Sequence, residues 1–135
     1  MTSPLGLDPA APVGLVGLGL VGNALAQRLA TAGFEVMGYD IREEARAAFQ
    51  ATHGRVAASP RAIGAGCPVV VLAVFDTAGA IEAIEGPDGL VAGGAVRAVI
   101  DCSTGIPEAL EALAQRLGAR HIDLVEAPLS GSSSQ

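Results

Sequence analysis

Residues 13–22 read VGLVGLGLVG, with Asn23, Ala24, Leu25 and Ala26 directly behind them. Glycine weakens any helix or strand that contains it, yet Gly17, Gly19 and Gly22 fall within six residues. The apolar run ahead of them reads as a short buried strand. Behind them, 23–32 places Leu25 and Leu29 at helical spacing, and Gly33 supplies a natural helix stop. The glycines therefore sit where a strand turns into a helix, and the remaining chain can be read outward from that junction.

Beyond Gly33, short apolar runs keep alternating with longer segments of helical period, the signature of βαβ units and a parallel sheet. Strands are predicted at 13–16, 35–39, 68–74, 98–102 and 121–125, with a weak one at 55–57. Several are apolar without alternation, as strands are when both sheet faces are covered. Helices are predicted over 42–52, over 77–84, and from Pro60, where Ser59 is the N-cap and Gly64 and Gly66 end the segment. A final helix starts at Pro107, carries Leu110, Leu113 and Leu117 on one stripe, and stops at Gly118. The GPDGL at 86–90 reads as a turn. The expected fold class is α/β, a Rossmann-type doubly wound, mainly parallel sheet flanked by helices. Residues 1–12 hold three prolines and no basic run, so they read as a flexible tail rather than a signal peptide, with one domain over 13–135.

Composition narrows the partners. The 14 acidic residues outnumber the 8 basic ones, giving a net charge of −6, and no arginine cluster stands out, which argues against nucleic acid. Every basic residue is an arginine; the sequence contains no lysine. Asn23, Gln27 and Arg28 interrupt the first apolar stretch well short of the ~20 residues a membrane span requires, so no membrane association is expected. Cys67 and Cys102 sit beside apolar runs and read as buried reduced thiols, which points to the cytoplasm. His53, placed in the loop after the second helix, and His121, placed at the start of the last strand, lie away from the ligand edge of the sheet. No metal site is expected from either.

At a strand-to-helix junction, a GxGxxG turn has a specific physical use. Gly17 permits the tight turn, Gly19 lets the backbone approach a pyrophosphate, and Gly22 lets helix pack on strand. Amides at the helix start, aided by the helix dipole, then receive phosphate charge. Asp40 follows the second predicted strand, where an acid accepts hydrogen bonds from a ribose diol. Such an acid repels the extra phosphate of NADP and favours NAD, whereas Arg42, two residues on, attracts that phosphate.

With these residues in place, the run GLGLVGNALAQRLATAGFEVMGYD at 17–40 resembles the cofactor loop of the β-hydroxyacid dehydrogenases, the 3-hydroxyisobutyrate dehydrogenase family, whose form is GLGxMGxxMAxxLxxAGxxVxxxD. Val21 replaces the usual methionine. Asp101, Cys102, Ser103 and Thr104 match the family's DxST, followed by Pro107. The EAPLSG at 126–131 resembles its DAPVSG, with Glu126 and Leu129 departing mildly. Val74, Phe75 and Asp76 occupy the place of an LPD-like turn, with Phe75 where proline is usual. The similarity covers nearly everything after residue 12.

The resemblance implies a nicotinamide cofactor, NAD with NADP as second candidate, held by Gly17, Leu18, Gly19, Leu20, Val21, Gly22, Asn23, Asp40, Val74, Phe75 and Thr104. It implies a small 2- or 3-hydroxy acid substrate, held in part by Ser103, Ser130 and Gly131. Relatives of this kind carry a C-terminal helical domain whose lysine acts as general acid or base and through which they form oligomers. With no lysine in the sequence, the expectation is a cofactor domain that is inactive by itself. Rival expectations are a regulatory NAD(H)-sensing module, which has no use for DCST and EAPLSG, and a methyltransferase using the glycine turn for S-adenosylmethionine.

Overall fold

Strands that are apolar on both faces need a cover on each side, and the chain supplies one by alternating strands with helices. The computed structural model describes residues 10–103 and 105–127. In order these form β1 (Val13–Val16), α1 (Leu20–Thr31), β2 (Val36–Tyr39), α2 (Glu43–His53), α3 (Pro60–Gly66), β3 (Val69–Leu72), α4 (Thr77–Glu85), α5 (Leu90–Gly93), β4 (Ala98–Asp101), α6 (Pro107–Gly118) and β5 (Asp123–Glu126). The five strands pair in parallel in the order β2-β1-β3-β4-β5. Their last residues, Tyr39, Val16, Leu72, Asp101 and Glu126, are register partners in one row. The segments that follow them therefore leave the sheet along a single edge.

Alternate strand residues feed two cores. On one face, Leu15, Val36 and Val71 pack with Leu18, Ala26 and Phe49 beneath α1 and α2. On the other, Val70, Leu72 and Val99 pack with Ile63, Ala80, Ile84, Leu90, Leu110, Leu113 and Leu117. The stripe predicted for the last helix is thus its buried face. Ser59 caps α3 as expected, its hydroxyl accepting the Ala62 amide at 3.1 Å.

Several expectations need correction. The segment 86–90 is not wholly a turn: Leu90, fully buried, opens the short α5. A Cβ on Gly64 would strike the Leu90 carbonyl, so α3 and α5 meet backbone to backbone. The weak strand at 55–57 shrinks to one parallel bridge, Val56 beside Gly38 on the outer side of β2. The left-handed Gly54 precedes it and the α3 cap follows, leaving no room for more. His53 is not in a loop; it is the last residue of α2, with its ring centroid 4.7 Å from that of Phe49. His121 does not open the last strand. It stands in a left-handed turn (φ 61°), because the amides of His121 and Ile122 close the end of α6 on Gly118 and Leu117, and β5 begins only at Asp123. Gly118 is the last residue of α6 and Ala119 its C-cap. The first helix begins at Leu20, directly behind Gly19, so Gly22 lies inside it.

Candidate functional site

β1 and β3 are neighbours, but the chain leaves them in opposite directions, to β2 and to β4. Open α/β sheets bind ligands in the crevice at such a switch point, outside the carboxyl ends of the strands. Here that crevice is bounded by the glycine turn after β1, Asp40 after β2, Val74 and Phe75 after β3, and Ser103 after β4.

The three glycines divide their work. Gly17 has φ +104°, and a Cβ on it would run into the backbone of Ala73. A Cβ on Gly22 would overlap the Gly17 carbonyl, so this glycine lets α1 sit against the turn. Gly19 differs: among the described residues, a Cβ there would meet only Arg42 Nη2, at 3.8 Å, an ordinary contact, so no described atom closes its front. The first helical bond runs from the Asn23 amide to the Gly19 carbonyl (2.9 Å), which leaves the amides of Leu20, Val21 and Gly22 ahead of the helix's own ladder. Asn23 secures the turn, its Nδ2 donating to the carbonyls of Leu18 (2.7 Å) and Gly19 (2.9 Å). Leu18 sends its side chain into the core and its amide to Asp40, whereas Leu20 and Val21 keep theirs at the surface.

Asp40 is buried, and its carboxylate accepts from four donors. Oδ1 takes the Arg42 amide (2.9 Å) and Nε (3.0 Å); Oδ2 takes the Leu18 amide (2.8 Å) and Arg42 Nη2 (3.2 Å). Burial alone pushes its pKa up. The Arg42 side chain, the amides of Arg42 and Leu18 and the guanidinium charge outweigh that and hold the carboxyl below its ordinary value. Arg46, which the sequence reading passed over, donates Nη1 to the Asp40 carbonyl (2.7 Å) and lies over the Tyr39 ring. Its spacing from Arg42, one helical turn at the start of α2, was the available signal.

On the other side of the crevice, the Ser103 hydroxyl is buried and accepts the Val74 amide at 3.1 Å, and the Ser103 amide donates to Asp101 Oδ1 at 2.9 Å. The Thr77 hydroxyl accepts the Ile106 amide at 2.8 Å. The loops after β3 and β4 are thus joined twice. Phe75 is 94% exposed at the rim, and Asp76 caps α4 by accepting the Gly79 amide. The Ala127 amide bonds the Asp101 carbonyl, so the chain leaves β5 along this same edge. Thr104, Ser130 and Gly131 lie outside the described residues. Among the described residues, no group of three His, Cys, Asp or Glu could hold a metal, and no helix is long and apolar enough to cross a membrane.

These features fit a dinucleotide: a glycine turn with no described atom closing the front of Gly19, a 12-residue helix starting behind it, and a carboxylate beside both. Known proteins agree. The chain is 32% identical over 124 residues to the L-threonate dehydrogenase of Cupriavidus necator, which aligns with 91% of this chain and 42% of that protein. It is 31% identical over 123 residues to human mitochondrial 3-hydroxyisobutyrate dehydrogenase, covering 89% of this chain and 36% of the relative. The chain therefore spans less than half the length of either. The crystal structure of 3-hydroxyisobutyrate dehydrogenase from Salmonella typhimurium superimposes with a TM-score of 0.79 at 28% identity, over 92% of this chain and 44% of that one. Residues 12–135 match the family model of the NAD binding domain of 6-phosphogluconate dehydrogenase. A glycine turn at the switch point, an acid after the second strand and this match lead to one conclusion: the chain belongs to the family of 6-phosphogluconate dehydrogenase NAD-binding domains.

Proposed function

We propose that this chain is the cofactor-binding part of an oxidoreductase that moves a hydride between NAD, or NADP, and a small 2- or 3-hydroxy acid. The observation that carries the reading is the level row of strand ends, which brings the glycine turn, Asp40 and the Ser103 loop to one edge of the sheet. In this reading the amides of Leu20, Val21 and Gly22 receive the pyrophosphate, Gly19 permits its approach, and Asp40 faces the adenosine ribose. Val74 and Phe75 flank the adenosine side, and Thr104 the nicotinamide. Ser103, with Ser130 and Gly131, holds part of the acid. The bound nicotinamide supplies the hydride chemistry, and the protein supplies orientation and exclusion of water.

Removing the hydroxyl proton needs a base beside the carbinol carbon. The sequence has no lysine, His53 is the last residue of α2 with its ring tilted against that of Phe49, and Asp101 is buried and engaged by the Ser103 amide. The chain by itself is therefore expected to bind NAD and turn over no hydroxy acid. The same reading has the full-length enzyme cytoplasmic and homo-oligomeric, with neither nucleic acid nor membrane as partner.

Calorimetric titration of the purified chain with NAD, NADP and S-adenosylmethionine tests the proposal. The expected result is binding of the nicotinamide dinucleotides and none of S-adenosylmethionine; tightest binding of the last would overturn it. Steady-state NADH formation from 3-hydroxyisobutyrate or threonate by the chain alone would overturn its inactivity.

A further inference from the structure

The segments after β3 and β4 stay in step beyond their strands. Each register pair of the two strands, from Val69 with Ala98 to Leu72 with Asp101, joins residues 29 apart in the chain, and so do both ties that follow, Val74 amide to Ser103 hydroxyl and Ile106 amide to Thr77 hydroxyl. Past the strand ends the ladder therefore continues, with side-chain oxygens where carbonyls would accept. Ser103 already has a proposed use, but Thr77 has none. Threonine hydroxyls commonly bond backbone close by in the chain; this one reaches a different element. It is not needed to start its own helix, because Asp76 caps α4. Thr77 is nevertheless buried, 5% exposed. A Cβ on Gly105 would lie 3.4 Å from Thr77 Oγ1 and would strike the Leu110 side chain, so the β4 loop is held closely between α4 and α6 at this point.

The sheet order shows what this loop borders. β2 carries Asp40 at its end, β1 the glycine turn, and β3 and β4 lie on the far side of that turn. A dinucleotide with its adenosine ribose at Asp40 and its pyrophosphate on the glycine turn must carry its other nucleoside toward β4, two strand spacings or about 10 Å beyond β1. We propose that Thr77 is a positioning residue for the nicotinamide half of the cofactor: by accepting the Ile106 amide, its hydroxyl keeps the loop after β4 in register with β3, where that half must rest. This rests on the reading of the glycine turn as the dinucleotide site. Thr77 acts through Ile106 and not by touching the ligand. Its loss frees the loop at the α6 end while the Ser103 tie to Val74 stays, so the adenosine half keeps its contacts.

The test is calorimetric titration of NAD, and of ADP-ribose, which lacks the nicotinamide, into the chain and its Thr77→Val and Thr77→Ser variants, with circular dichroism melts alongside. The parent is expected to bind NAD more tightly than ADP-ribose. In Thr77→Val, which keeps the side-chain volume and loses the acceptor, NAD should weaken about fivefold while ADP-ribose stays within about twofold. Thr77→Ser keeps the acceptor and should bind NAD within about twofold of the parent. Thr77→Ala should repeat the valine pattern, and replaces it if the valine chain does not fold. A lowered melting temperature with both affinities unchanged, or equal weakening of NAD and ADP-ribose, would make Thr77 a brace of the fold alone and overturn the proposal. So would a parent that binds the two ligands alike, since the nicotinamide would then not reach the loop. A parent that binds neither ligand overturns the reading of the glycine turn, and this inference with it.

Discussion

Gly19 and Gly22 belong to one sequence pattern, yet the fold asks different things of them. Gly22 is constrained from inside the protein, by the Gly17 carbonyl; Gly19, among the described residues, has no atom closing its front. Gly22→Ala should cost about 1–3 kcal/mol through overpacking, read as a lower urea midpoint. Gly19→Ala, at a helix N-cap, should cost no more than about 1 kcal/mol but weaken NAD roughly tenfold, because only a ligand's approach is blocked. A Gly19→Ala chain with undiminished NAD affinity would remove Gly19 from the site. Asp40 makes a second prediction. Its carboxyl is lowered in the folded chain from an ordinary value of 3.8, so it contributes stability that is complete above that value and is lost as pH falls through the folded pKa. Asp40→Asn should be the less stable protein at neutral pH, and the gap between their urea midpoints should close on acidification below pH ~4. A gap that stays constant down to the acid limit would contradict it. The sequence showed Asp40 through its distance from the glycines. The Arg42 contacts are local, from two residues on, but the Leu18 amide, 22 residues away in the chain, reaches the carboxylate only when the turn closes on β2.

At the level of elements, β1 to β4 were readable because each is built on an apolar run, and α3 and α6 because serine and proline mark their starts. What escaped was decided by packing. Leu90 follows a Gly-Pro-Asp-Gly turn and looks like its last residue, but burial against α3 makes it the start of α5. Leu90→Ala is accordingly expected to cost about 2–5 kcal/mol, as for a core leucine. A shift within about 0.5 kcal/mol, normal for an exposed turn residue, would return 86–90 to a simple turn. The strand at 55–57 failed for the converse reason: its apolar character survived, but the left-handed Gly54 and the Ser59 cap left it a single bridge.

For the molecule as a whole, the parallel sheet and its two covered faces follow from the order of apolar runs and helical segments. The meeting of distant motifs does not, since it depends on strand register: Val16, Leu72 and Asp101 fall level, and so Gly17, Val74 and Ser103 share one rim. A dinucleotide held at that rim binds the folded state alone. At 100 times its dissociation constant, NAD should therefore stabilise the chain by about 2.7 kcal/mol, read as a higher melting temperature. The two ties between the loops after β3 and β4, Val74 amide to Ser103 and Ile106 amide to Thr77, bear on how this scaffold can be re-engineered. Grafting one of these loops from a homologue would strand an amide whose acceptor stayed behind. Transplants at this rim should succeed only when both segments are exchanged as a matched pair.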